Sequence, residues 1–353
     1  MLHARWGEVL AILSATPRRQ ELEVRVGGER RRAIAYPHLT GAVRPGDRVW
    51  LNTTAVDLGL GTGGYDFVIA AEGRCPAPGH GRAMKLRYTP LQVRVPAVEE
   101  AIGPLPAGLD GLPVVVAELH SQLAPVLAGW WWAGGTGPVV YVATDGGALP
   151  LAVSRLVDRL RREGWLQRVI TAGQAVGGDD EAVHLASALL AARARGARLV
   201  VVAMGPGIQG TGETLGHSGL DQAWGLVLAE RLGGQPVAVA RLSQADGRSR
   251  HRGLSHHTAG VLGLLSRPAW LPLPRPLPRE AAEELGRLAV AAGCLPVDVP
   301  TAPAAAWLAR AGPAVETMGR GPSADPPFFH AGLAAGILAA RLAPGGSPAS
   351  GPS

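Results

Sequence analysis

The sequence predicts an α/β protein, a Rossmann-like parallel sheet with helices on both faces, preceded by a small β-barrel-like N-terminal domain. Two observations carry this expectation. From about residue 110 the chain repeats an apolar strand, a glycine-bearing loop and an amphipathic helix, the rhythm of parallel strands joined by right-handed crossovers. Before residue 97 it holds only short strands and turns, at the spacing of a small barrel.

In the first segment Glu21-Leu22-Glu23-Val24-Arg25-Val26 alternates polar and apolar residues, the period of a half-buried strand. Gly27-Gly28 supplies a tight hairpin turn before Ala33–Tyr36. Pro45-Gly46-Asp47 is turn chemistry ahead of Arg48–Leu51. Phe67–Ala71 and Leu86–Val95 are further strands. In the second segment the strands are Pro113–Ala117, Val139–Ala143, Arg168–Ala172, Leu199–Ala203 and Val237–Ala240. Leu149–Glu163 sets Leu149, Val153, Leu156, Val157 and Leu160 on one helical face, and His217–Leu232 does the same with Leu220, Trp224, Val227, Leu228 and Leu232. Beyond Ser266, the proline-rich Leu271–Pro278 reads as an extended connector. Glu280–Ala292, Pro303–Arg310 and Pro326–Leu342 read as helices. The implied organisation is a basic β-rich domain at 1–96, a linker at 97–112, the Rossmann-like domain at 113–343 and a disordered Gly/Ser/Pro-rich tail at 344–353.

Composition narrows the function. Of 353 residues, 33 are Arg and one is Lys, Lys85. That single lysine is not in a G-x-x-x-x-G-K-[ST] phosphate loop. Two cysteines, Cys75 and Cys294, make neither a disulfide framework nor a multi-cysteine zinc site. They suit the reducing cytoplasm, and no stretch has the roughly 20 continuous apolar residues of a membrane span. Residues 1–96 hold 14 basic and 8 acidic side chains and carry the whole +6 net charge. Arg18, Arg19, Arg25, Arg30, Arg31, Arg32, Arg44 and Arg48 then either contact nucleic-acid phosphates or simply solubilise strand faces and turns.

In an open parallel sheet, ligands bind beyond the carboxyl ends of the strands. The loops that follow the five strands hold five of the ten histidines: His120, His217, His251, His256 and His257. The first loop is Glu118-Leu119-His120-Ser121 and the second is Thr144-Asp145-Gly146-Gly147. The fourth, after Met204, contains Gly205, Gly207, Gly210 and Gly212 and runs on to His217 and Ser218. Its G-x-G-x-x-G spacing allows a dinucleotide fingerprint, but Pro206 and the long run to Gly216 before any helix favour a glycine turn or an anion cradle. The fifth carries Asp246 and Arg252-Gly253-Leu254-Ser255-His256-His257-Thr258, with Ser255 placed to cap a helix. His256, His257, His120 and Asp145 are the candidates for acid/base or metal chemistry. Gly146, Gly147, Gly205, Gly207, Gly210, Gly212, His217, Ser218 and Arg252 are the candidates for ligand binding. Neither H-E-x-x-H nor G-x-S-x-G occurs.

Leu51–Val56, Gly59–Tyr65, Met84–Gln92, Glu118–Ser121, Thr144–Pro150, Arg252–Thr258 and Thr317–Gly321 resemble one bacterial family, domain of unknown function 3866. The resemblance covers nearly the whole chain and implies no activity, cofactor or catalytic residue. Lys85 lies inside one of its motifs, where a compact ammonium differs from a planar guanidinium. The expected function is binding of, or action on, a small anionic ligand, phosphorylated ones included, at the carboxyl edge of the sheet. Nucleic-acid association through the basic β-domain and a non-catalytic scaffold are the alternatives. Cofactor, substrate and oligomeric state are left open.

Overall fold

The computed structural model describes residues 1–61 and 63–344. The expected disordered tail, from residue 345 on, lies outside them. The chain divides into two compact units, residues 1–96 with 150–153, and residues 97–149 with 154 onward.

The first unit is a closed barrel. Strands β1 (Ala4–Ala15), β2 (Gln20–Val26) and β3 (Glu29–Ala35) are followed by a short helix α1 (Pro37–Thr40), β4 (Arg48–Asn52), a second short helix α2 (Thr54–Asp57) and β5 (Tyr65–Ala71). They close in the order β1-β2-β3-β5-β4, with β3 parallel to β5 and the other pairs antiparallel. This is a five-stranded Greek-key barrel of the OB type. The alternation read from β2 fills the interior with Leu22, Val24 and Val26, joined by Val9, Ala33, Val49, Leu51 and Val68. Gly27 and Gly28, at φ +57° and +89°, make the hairpin turn between β2 and β3. Strand β1 was not foreseen. It pairs with both β2 and β4, and its register shifts break the period-2 pattern. Of the strand expected over Leu86–Val95 only β7 (Val93–Val95) forms, paired antiparallel with β6 (Ala83–Lys85), which precedes the expected range. Leu86 and Tyr88 take left-handed φ between them, which no continuous strand allows.

The second unit holds an eight-stranded parallel sheet. Its elements are α3 (Val98–Ala101), β8 (Pro113–Val116), α4 (Leu123–Trp132), β9 (Val139–Thr144), α5 (Arg155–Arg162), β10 (Arg168–Ala172), β11 (Asp180–Ala182), α6 (Leu185–Ala194), β12 (Leu199–Met204), α7 (Asp221–Arg231) and β13 (Gln235–Ala238). A two-residue ribbon, β14 (Leu242–Ser243) with β15 (Gly253–Leu254), precedes α8 (His256–Gly263). The chain ends with β16 (Trp270–Arg275), α9 (Arg279–Ala291), β17 (Leu295–Pro300), α10 (Ala302–Ala311) and α11 (Pro326–Leu342). The sheet order is β11-β10-β9-β12-β8-β13-β16-β17, every pair parallel. All residues of β8, β9 and β12 are buried, as strands covered on both faces must be. Residues 97–112, read as a linker, contain α3, packed against α6 and β11, and the fully buried Leu109.

The connection from β8 to β9 steps one way along the sheet and that from β12 to β13 steps the other way. Right-handed crossovers therefore place α4 and α7 on opposite faces. Adjacent strands diverge twice, at β9/β12 and at β8/β13, and each divergence opens a crevice at the carboxyl edge. Helix α11 is buried along most of its length and packs on α4 and on β8, β13, β16 and β17. A Cβ at Gly129 would strike the Leu333 carbonyl and one at Gly336 the Val126 carbonyl, so small residues set this helix pair's separation.

The connector expected over Leu271–Pro278 is strand β16. Its prolines are tolerated because of which way they face. Ala269 and Arg275 give their carbonyls to Leu295 and Thr301 on the β17 side. Odd-numbered residues therefore face β17, and Pro272 and Pro274, with no N–H, fall on the β13 side, where pairing stops after Val237–Trp270. The helix expected over Leu149–Glu163 starts only at Arg155. Ser154 caps it, its hydroxyl accepting from Val157 N at 3.0 Å.

Candidate functional site

The β8/β13 crevice gathers the densest polar group. Glu118, one residue past Ala117 at the end of β8, is fully buried. Its Oε1 accepts from Arg241 Nη1 at 3.0 Å and from His257 Nδ1 at 2.6 Å. Oε2 is buried with no hydrogen-bond partner. Burial by itself would raise the Glu118 carboxyl; the His257 hydrogen bond and the Arg241 charge outweigh it and hold the group below the usual carboxylate range. Arg241 follows β13 and is 4% exposed. Its backbone N–H donates to Thr258 Oγ1 at 2.9 Å, and Nη2 lies 3.6 Å from Asp246 Oδ2. Two glutamines tie the crevice walls: Gln122 Nε2 donates to Ala240 O, and Gln222 Nε2 to both Val116 O and Val239 O.

Helix α8 positions the histidines. Ser255 caps it by accepting from His257 N at 3.2 Å, and the same hydroxyl meets His251 Nδ1 at 2.8 Å. His251 and His256 ring centroids are 5.1 Å apart, His251 and His257 4.7 Å, and His256 and His257 4.4 Å. His217, from the loop after β12, stacks on His257 at 3.6 Å and 5°. Desolvation first, then neighbouring positive charge, lowers the protonation of this group. His217 falls to about 4 and His251 to about 3, and His256 is lowered also. His217, His251 and His256 therefore favour the neutral imidazole, the form that binds metal or accepts a proton.

Asp246 anchors the other side of Arg241. Burial pushes its carboxyl up, but the two-pronged contact from Arg248, 3.0 Å at each oxygen, holds it well below the ordinary range. Arg320 lies 3.7 Å from Asp246 and donates to Asp325, which in turn accepts from Ser243 Oγ at 2.6 Å. Ser121 Oγ and Thr317 Oγ1 are 3.2 Å apart. In this way the family-like motifs Glu118–Ser121, Arg252–Thr258 and Thr317–Gly321 meet around one polar network.

The glycine loop does not open a helix as a dinucleotide turn does. Gly210 bridges to His217, Ser218 N donates to Gln209 O, and Ser218 Oγ accepts from Gln209 N. The loop folds back on itself, and α7 begins only at Asp221. Gly210 lies against the cluster: a Cβ there would sit 3.1 Å from His217 Cβ and 3.5 Å from His257 Nε2. Gly219 is as close on the other side, 2.7 Å from Glu118 Cγ and 2.9 Å from His217 Nδ1. Gly207 and Gly212 take φ of +95° and +100°. Gly205 belongs to the β9/β12 crevice, where side chains at Gly147 or Gly205 would collide with the facing backbone and Ala148 N donates to Pro206 O. Gly146 faces Asp221. Asp145 accepts from Gln174 N at 2.8 Å, and burial, with the Asp145 charge added, raises the Asp221 carboxyl.

His120 is held away from the other histidines. Tyr141 donates to the carbonyls of Ala203 and Met204, so its oxygen accepts from His120 Nδ1 at 3.2 Å, and Nε2 meets the capping Ser154 Oγ at 2.7 Å. Burial lowers it to about 4. Arg252 lines an open, mainly apolar cleft of about 230 Å³ with Leu242, Ser243, Gln244, Leu277 and Pro327. Lys85 belongs to the first unit and is 2% exposed.

The sequence singled out His256, His257 and His217 but left His251, Glu118, Arg241 and Asp325 off its candidate list. For Glu118 and His251 the signal was their position in post-strand loops. Asp325 lies far along the chain and carried none.

Many of the barrel's arginines are ion-paired: Arg25 with Glu8, Arg30 with Glu23, Arg31 with Asp57 and Arg48 with Glu72. Among the described residues no helix is long and apolar enough to cross a membrane.

Fold and site define an α/β protein whose buried polar groups converge at a switch point of a parallel sheet, in a chain that begins with an OB-type barrel. The chain belongs to the family described as Protein of unknown function (DUF3866), whose model matches residues 32–336. A comparison with curated proteins gave no match.

Proposed function

We propose that the second unit binds a small anionic ligand at the carboxyl edge of its sheet, over the β8/β13 crevice. The observation that carries this reading is the Glu118–His257 hydrogen bond of 2.6 Å, backed by Arg241, beneath the Gly210 loop. Buried carboxylate–imidazole pairs orient a ring so that its second nitrogen faces a reactant or a metal. Ligands favour such switch-point crevices because the diverging crossovers leave them open. The test is a thermal-shift screen of small phosphorylated and carboxylated molecules against the full chain. A compound that stabilises the wild type and fails to stabilise His257→Gln supports the reading. A stabilising compound indifferent to His257→Gln and to Gly210→Val refutes it.

The barrel supports a second reading, association with single-stranded nucleic acid. Trp6, 48% exposed, lies 5.2 Å from Trp50, and Arg48 stacks over it at 4.9 Å. Aromatic and guanidinium surfaces on an OB barrel are what unstacked bases pack against. Quenching of tryptophan fluorescence by an oligonucleotide, weakening steeply with salt, is the expected signal; no quenching at low salt sinks this reading.

A further inference from the structure

We propose that His251, His256 and His257 form a binding site for a divalent transition-metal ion of the zinc class. The proposal deepens the small-anion reading above, since the metal would supply the positive charge at the crevice.

Among the described residues these three make the one group whose ligand atoms all lie within 4.8 Å of one another. On a tetrahedral zinc with bonds of about 2 Å, two nitrogens lie about 3.3 Å apart. Closing the set therefore takes side-chain rotations that move the ring nitrogens by about 1.5 Å, which the part-exposed His256 can supply. The second layer is already in place. His257 gives its Nδ1–H to the buried Glu118, and His251 meets the Ser255 hydroxyl through Nδ1. Metal-bound histidines hold their other ring nitrogen in this way, which leaves Nε2 of each as the free donor. His256 Nε2 is buried with no partner.

A separate observation points the same way. His217 is 7% exposed, stacked face to face on His257, and neither of its nitrogens makes a well-formed hydrogen bond. Buried polar atoms are rarely left so. Imidazole lone pairs facing a ligand repel an anion, and the charge of Arg241 is already matched by Glu118 and Asp246. A cation on the three histidines offsets this repulsion and gives an anionic ligand something to bind. Three nitrogen donors leave a fourth position open, the arrangement of zinc sites that bind substrate or water.

The test uses the full chain, stripped with chelator and titrated with Zn²⁺ alone. One ion per chain is expected by elemental analysis, with three imidazole nitrogens in the X-ray absorption spectrum of the zinc-loaded wild type. Glu118→Gln, which keeps the shape of the second layer, should weaken Zn²⁺ binding about 10–100-fold, and His256→Ala at least about tenfold. Uptake well below one ion, a spectrum without imidazole donors, or affinity unchanged in both variants overturns the site. Because the readout needs no other ligand, Zn²⁺ binding without any stabilising anion would refute only the small-anion reading. Anion binding that survives chelation would refute only the metal's role in it.

Discussion

Replacing Arg241 by Met would leave the Glu118 carboxylate buried without its cation. Glu118 is fully enclosed, Arg241 is 4% exposed, and Oε2 has no hydrogen bond to fall back on. Removing one partner of such a pair costs about 3–5 kcal/mol, most of it the penalty of the stranded charge. At about 2–4 °C per kcal/mol for a unit of this size, the melting temperature should drop by about 10 °C. Adding Glu118→Gln removes the charge while keeping an acceptor for His257 Nδ1–H, so the double variant should lie only about 1–2 kcal/mol below the wild type. Urea unfolding of the wild type, both single variants and the double variant makes a complete cycle. If Arg241→Met costs less than about 1 kcal/mol, or if Glu118→Gln returns nothing in its background, the buried-charge reasoning is wrong.

Stability should also fall with acid. His120, lowered from 6.5 to about 4 by burial, is neutral in the fold, so the unfolded chain takes up its proton first. Its contribution is complete above about pH 6.5 and declines as pH falls from there toward about 4, by at most about 3 kcal/mol. His217 and His251 act in the same direction. A melting-temperature profile flat between pH 7 and 4 would contradict this, and His120→Gln should shallow the slope. Gly210→Val sets a side chain over His257 Nε2; Zn²⁺ affinity measured by calorimetry should fall at least tenfold, about 1.4 kcal/mol, with the circular dichroism unchanged. Gly336→Ala forces α11 off α4 at the Val126 carbonyl, and chemical denaturation should show a loss of about 1–3 kcal/mol.

What the sequence determined by itself is what local periodicity can encode. Unbroken apolar runs such as Val139–Ala143 and Leu199–Ala203 are strands because both their faces are covered, and that requirement is written in the residues. The cap at Ser255 and the diglycine turn are equally local, since each depends on backbone geometry within a few positions. Tertiary structure decided the rest. Proline-rich Trp270–Arg275 became a strand because β17 pairs along its whole length while Pro272 and Pro274 fall on the side where pairing with β13 has stopped. The glycine spacing after β12 became a folded-back loop because Gly210 pairs with His217. His120 and His257 are equivalent in sequence, each following a strand. One is engaged by Tyr141 and Ser154, while the other is aimed by a carboxylate 139 positions away. Which histidines meet depends on the order in which the strands lie in the sheet, and contacts between residues so far apart leave no periodic trace in the chain.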